Sequence, residues 1–189
     1  MFFSHRPSPQ DVERFLSESR DVPLSYAPIG LAREGRDRFN LDEQVTIVGS
    51  GEAAFARATA ALIEWRHFDL DWVELLPRRA PIAPGTVVAV MVRHLGFWSL
   101  NGCRVVYQIG VSGDRDFGFA YGTLMNHAES GEEIFQVSFR PDTGDVSYTV
   151  RAVSRPRAML ATLGYPMVRA LQARFRRDSA DAVRRAITG

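Results

Sequence analysis

FGFAYGTLMNHAESGEEIFQVSFRPDTGDVSYTVRAV, residues 117–153, decides the fold class, because side chains alternate in type along three successive short runs. Residues 116–124, 132–140 and 145–154 each show the period-two pattern of a half-buried strand. Phe135, Val137 and Phe139 share one face of the second run, and Val146, Tyr148, Val150 and Ala152 share one face of the third. The second and third are joined by RPDTGD, whose Asp142–Gly144 is a hairpin signal. Strands this close in sequence pair antiparallel.

Upstream the pattern continues. Strands are predicted at 71–76, at 85–94 (GTVVAVMVRH) and at 97–111, where Cys103, Val105, Tyr107, Ile109 and Val111 fall on one face. SGDRD is a turn. An earlier strand in LDEQVTIVGSG has Val45 and Ile47 on one face, and Ser50 is placed to cap a helix in EAAFARATAALIEWRHF. In that helix Ala54, Phe55, Ala58, Leu62 and Trp65 recur at three- and four-residue intervals. DVERFLSESRDV, residues 11–22, is a short amphipathic helix ended by Pro23. Residues 23–40 have no periodicity and read as an extended connection. SRP at 154–156 closes the sheet, and Pro166 sits at the start of a long final helix whose Val168, Leu171, Phe175, Ala182 and Ala186 form one stripe.

This order gives an α+β fold: a curved antiparallel sheet of about six to seven strands gripping a long C-terminal helix, preceded by a short N-terminal helix. An antiparallel sheet needs an apolar cover, and the long helix supplies it. The layout resembles the helix-grip arrangement of the START and birch-pollen-allergen (Bet v 1-like) superfamily, which implies an apolar ligand cavity between sheet and helix. One domain is expected, with 1–23 as a helical extension and 24–189 as the helix-grip unit.

Composition narrows the chemistry. All 23 basic residues are arginine, so Schiff-base formation through a lysine is excluded. The net charge of +1 is uneven: residues 1–150 carry 14 Arg against 20 acids, and residues 151–189 carry nine Arg against two. The start, MFFSHRPSPQDVERFL, does not read as a secretory signal, and no apolar run is long enough to span a bilayer, so a cytoplasmic protein without transmembrane segments is expected. The lone Cys103 sits in a strand and reads as a core residue. His67, Asp69 and Asp71 alternate in HFDLD, yet no further histidine or cysteine group accompanies them, and no metal site or other cofactor is expected.

FGFAYGTLMNHAESGEEIFQV, followed by VSYTVRAVSRP and LGYPMVRALQARFRR, resembles the family known as domain of unknown function 1990. SYAPIG, VGSGEAAFARATAALIEW, PGTVVAV and CRVVY extend the resemblance across roughly residues 24–186. It implies a relation and no particular activity.

The expected function is the binding of a small apolar or amphipathic molecule in a cavity, with Trp65, Trp72, Tyr107, Tyr121, Thr123, Glu132, Phe135, Tyr148 and Leu171 as candidate contacts. Packing of the aromatic side chains in an ordinary core is the competing reading. Tyr121, His127 and Glu132 are candidates for proton transfer if the protein acts on its ligand, although the reading inclines to a binding protein rather than an enzyme. The neighbouring Thr123, Glu129 and Glu133 belong to the same rim, and Glu132 and Glu133 must point to opposite faces. A third reading places nucleic acid on Arg169, Arg176, Arg177 and Arg184, against which stands the excess of acids in residues 1–150. Homo-oligomers are compatible with all three.

Overall fold

The computed structural model describes residues 1–35, 39–94, 96–111, 114–156 and 165–188. Its elements are β1 (Phe2–Phe3), α1 (Pro9–Ser19), α2 (Leu31–Glu34), β2 (Asn40–Ser50), α3 (Glu52–Ile63), a 3-10 turn (Arg66–Phe68), β3 (Val73–Leu76), β4 (Val87–His94), β5 (Phe97–Ile109), β6 (Asp116–Thr123), β7 (Glu129–Phe139), β8 (Asp145–Pro156) and α4 (Tyr165–Thr188). The strands form one antiparallel sheet in the order β2-β8-β7-β6-β5-β4-β3, with β1 added beside β5. Chain order is kept from β3 to β8. Only β2 crosses over, through α3, to pair with β8 at the far edge.

The sheet is curled, and its two faces have different covers. The concave face carries Val90, Cys103, Val105, Phe119, Tyr121, Phe135, Tyr148 and Val150, and α3 and α4 pack into it. This is the helix-grip architecture. The convex face is smaller in its side chains, with Gly118, Ala120 and Gly122 alternating against Phe117, Phe119 and Tyr121 on β6. Residues 24–34 lie over it, placing Tyr26, Leu31 and Ala32 on Ala120, Ile134 and Val153. Helix α1 covers the β4–β5 end of the same face through Phe15, packed on Ala89, Met91 and Leu100.

Two local expectations are corrected. Residues 97–111 do not keep one alternation, because a bulge between Val105 and Tyr107 adds a residue and turns the rest of β5 over. Cys103 and Val105 therefore point into the concave core, while Tyr107 and Ile109 belong to the convex cluster. Ser50 does not cap α3. It ends β2, its hydroxyl donates to the Gly144 carbonyl, and Gly51 occupies the N-cap. Val45 and Ile47 share a face as expected, and it is the outer one, where they are 56% and 50% exposed. Asp42 and Val48 point inward from the other face of β2, Asp42 to α4 and Val48 into the core.

Residues 26–32, within a stretch aperiodic in sequence, are held across the sheet by a buried carboxylate. Glu132, 1% exposed, accepts from the Tyr26 hydroxyl at 2.7 Å, the Tyr107 hydroxyl at 2.7 Å, Gly30 N–H at 3.0 Å and Ala32 N–H at 3.1 Å. Gly30 adopts φ 100°, a left-handed conformation that glycine reaches without strain. Gly122 lies directly beneath the Tyr26 ring, where a β-carbon would collide with it. Thr123 latches the start of the segment: its hydroxyl meets the Ser25 hydroxyl at 2.6 Å, and its carbonyl accepts from Ser25 N–H at 2.9 Å. Burial and the Glu132 carboxylate push both the Tyr26 and the Tyr107 phenols well above the ordinary tyrosine range.

Removing Glu132 leaves four donors without their acceptor, two of them N–H groups in a buried turn. Glu132→Ala is expected to cost about 3–5 kcal/mol and Tyr107→Phe only about 1 kcal/mol. Urea unfolding of both variants checks the ratio; equal, small losses would show that the carboxylate does not hold this segment.

Candidate functional site

Most of the concave face is filled by its own aromatic rings. Trp65, fully buried, turns the chain after α3 with a left-handed φ of 58° and donates from its indole to the Ala80 carbonyl at 2.8 Å. Behind it His67 lies among Trp65, Phe68, Phe119, Phe135 and Tyr148. The imidazole is completely buried, and burial lowers its pKa to about 3, so it is a neutral ring. Tyr148 is likewise packed in, its hydroxyl 2.7 Å from that of Ser179 on α4. Trp65, Phe135 and Tyr148 thus form the core beneath the helix and are absent from the walls of the cavity beside it.

A cavity of about 200 Å³ remains beside this plug, under the first half of α4. Its apolar wall is made by Phe68, Trp72, Val90, Val92, Leu171 and Phe175, with Phe68 and Phe175 rings 5.1 Å apart. Trp72 is held by a 2.8 Å bond from its indole to Asp178. The opposite wall is polar: Tyr121, Thr123, His127, Glu129, Glu133, Gln172 and Arg176.

The polar wall has a definite order. Tyr121 and Glu133 are cross-strand partners on β6 and β7, and the Tyr121 hydroxyl donates to the Glu133 carboxylate at 2.8 Å. Burial pushes the Glu133 carboxyl up to about 7, helped by the Glu129 charge and opposed by the Tyr121 bond and by Arg176. Burial also raises the Glu129 carboxyl, against the Gln172 amide, which donates to its two oxygens at 2.9 and 3.0 Å. His127 turns its Nδ1 to the Glu129 N–H at 2.9 Å, a bond that shapes the β6–β7 connection. Beyond Glu129, Arg169 grips Asp42 of β2 through both its terminal nitrogens, and Arg176 lies 3.6 Å from the same carboxylate. The Arg169 bond holds the Asp42 carboxyl below the usual range.

The candidate contacts divide accordingly. Trp72, Tyr121, Thr123 and Leu171 line the cavity, as does His127. Tyr107 does not, since the bulge carries it to the convex face. Glu132 lines it with backbone only, because strand alternation and four convex donors take its carboxylate away. Glu133 holds the place first given to Glu132. Phe68, Val90, Val92, Phe175, Gln172 and Arg176 complete the site without a motif of their own; the signal for Glu133 was its register with Tyr121. Of the four arginines of the basic stripe, Arg169 and Arg176 face Asp42, Arg184 donates to the Ile47 carbonyl at 2.9 Å and pairs with Asp181, and Arg177 is exposed. No group of three potential metal ligands occurs among the described residues, and none of their helices is long and apolar enough to cross a membrane.

The family model described as a domain of unknown function, DUF1990, matches residues 25–182. A "UPF0548 protein" of Dictyostelium discoideum is 33% identical over 209 aligned positions, covering 99% of this chain and 96% of that one. Among solved structures, a hypothetical protein of Helicobacter pylori superposes with a TM-score of 0.56 at 11% identity, covering 84% of this chain and 92% of that one. The Zhui aromatase/cyclase of Streptomyces sp. R1128 superposes with a TM-score of 0.52 at 16% identity, covering 79% and 94%. At such identities the likeness is one of fold.

The unfolded chain releases the Glu133 proton near an ordinary ~4.3, and the folded chain holds it to about 7. Between those values ionisation favours the unfolded state, so this contribution is fully present at low pH and is lost as pH rises to about 7. Glu133→Gln keeps the acceptor for Tyr121 and cannot ionise. It is expected to match the parent at pH 4 and to exceed it at pH 8 by on the order of 2–3 kcal/mol. Chemical denaturation at the two pH values decides this; parallel stability curves for parent and variant would refute the raised carboxyl.

Proposed function

The chain belongs to the DUF1990 family, and we propose that it binds a small, mainly apolar molecule in the cavity between the sheet and α4. The observation that carries the reading is the cavity itself. Interiors pack at crystal-like density with few voids larger than a water molecule, whereas about 200 Å³ stands open here beside a fully packed aromatic plug. Pockets for small molecules combine apolar walls with a few convergent polar groups, and this one has Phe68, Trp72, Leu171 and Phe175 on one side and Tyr121 and Glu133 on the other. The volume sets the scale of the ligand. A cavity of roughly 150 Å³ takes benzene, so one or two rings fit here.

One observation favours catalysis as a second reading. A carboxyl titrating at about 7 with a phenol bonded to it is equipped to give or take a proton near neutrality. In that reading Glu133 is the acid or base, Tyr121 its partner, and Glu132 is not involved. Conversion of a bound compound by the parent and not by Glu133→Gln would support it, and equal conversion by both would dismiss it.

For binding, a screen of one- and two-ring compounds by ligand-observed NMR is the direct test, with Val90→Phe as the filled-cavity control. Several compounds are expected to bind the parent and to weaken by at least about tenfold in Val90→Phe. A ring added to a packed wall costs about 1–3 kcal/mol, so circular dichroism confirms that the variant is folded. No saturable binding to the parent, or binding that Val90→Phe leaves unchanged, overturns the reading.

A further inference from the structure

We propose that the cavity selects a small amine in its protonated form, its ammonium against the Glu133 carboxylate and its apolar body against Phe68, Trp72 and Phe175. The inference rests on the binding reading above and adds the chemical class of the ligand.

The charges around the polar wall do not balance among the described residues. Three carboxyl groups, Asp42, Glu129 and Glu133, stand near two guanidinium groups, Arg169 and Arg176, and of the three only Asp42 is bonded to them. Arg169 is bound to Asp42 through two nitrogens, and Arg176, the cation on the cavity wall, also turns to Asp42. Glu129 is met by the neutral Gln172 amide. Glu133 has the Tyr121 hydroxyl as its hydrogen-bond donor, one bond for a group that can accept about four. Among the described residues Glu133 is thus a carboxyl on the cavity wall with no cation bonded to it; titrating at about 7, it is near half ionised in the empty site, and an ammonium beside it draws it into the carboxylate form.

The walls fit the same ligand. Rings present electron-rich faces that attract cations, an effect that grows where water is excluded, and the cavity has Phe68, Trp72, Tyr121 and Phe175 around it. A neutral alcohol would use the hydrogen-bonding capacity of Glu133 and leave the charge unmet. An anion would meet the Glu133 and Glu129 carboxyls, with Arg176 as the guanidinium on the cavity wall among the described residues. An ammonium satisfies both the charge and the open acceptor sites, and a charge-assisted bond of this kind is roughly twice as strong as a neutral one.

The test compares three probes of one shape, 2-phenylethylamine, 2-phenylethanol and phenylacetate, titrated calorimetrically into the full chain at neutral pH. The amine is expected to bind at least about tenfold tighter than the alcohol, and phenylacetate weakest. In Glu133→Gln the preference of at least about tenfold for the amine over the alcohol should vanish. Tyr121→Phe, which keeps the carboxylate, should retain the preference for the amine. An alcohol or acid that binds as well as the amine overturns this inference and leaves the cavity reading intact, as does a preference for the amine that survives Glu133→Gln. If none of the three binds, the cavity reading falls and this inference falls with it.

Discussion

Adjacent residues on a β-strand must face opposite sides of the sheet, and at Glu132 and Glu133 this constraint divides the molecule into a framework and a site. Glu132 turns outward into four donors and fixes residues 26–32 across the convex face. Glu133 turns inward to Tyr121 and to open space. A register slip of one residue would exchange the two carboxylates, leaving the convex donors unmet and a fully committed side chain in the cavity. The outer carboxylate, by paying the desolvation cost in four bonds, fixes the register that delivers the inner one with a single bond.

Both faces depend on small residues as much as on large ones. Gly122 leaves room for the Tyr26 ring, and Tyr26 in turn donates to Glu132. On the concave side Ala54, Ala58 and Ala61 let α3 approach the sheet closely, and the aromatic plug of Trp65, His67, Phe119, Phe135 and Tyr148 then fills that end of the grip. The cavity lies where this plug stops. Phe68 marks the boundary, with Phe135 on one side and Phe175 on the other. Its size follows from where the plug stops, not from the length of α4.

The fold was legible because its decisive signals are local. Alternation at 117–153, the hairpin at Asp142–Gly144 and the amphipathic final helix each depend on residues near in sequence. The site was legible in part, for the opposite reason. Tyr121, Thr123, His127 and Leu171 stand out by type, and they line the cavity. Tyr107 was misplaced because a bulge has no signature in side-chain pattern when apolar residues follow on both parities, as Val105, Val106 and Tyr107 do. The choice between Glu132 and Glu133 required pairing across strands: Tyr121 opposite Glu133 and Gly122 opposite Glu132. The role of residues 24–34 was hidden because segments that cover a sheet by backbone N–H donors need no periodicity.

Helix α4 is tied to the sheet at several heights, and the ties differ in kind. Near its start Arg169 and Arg176 hold Asp42 of the edge strand β2. At mid-length Asp178 accepts from Trp72, and Ser179 meets Tyr148. Near its end Arg184 donates to the Ile47 carbonyl, and Val183 and Ile187 enter the core. The apolar and buried contacts lie in the second half, over the plug, while the first half spans the cavity with Leu171 and Phe175 below and ionic contacts at its rim. These are not exposed surface pairs of small value: the Asp42 side chain is 11% exposed and that of Arg176 13%, so the half of the helix above the cavity is tied to the edge strand by shielded charge and the half over the plug by packing.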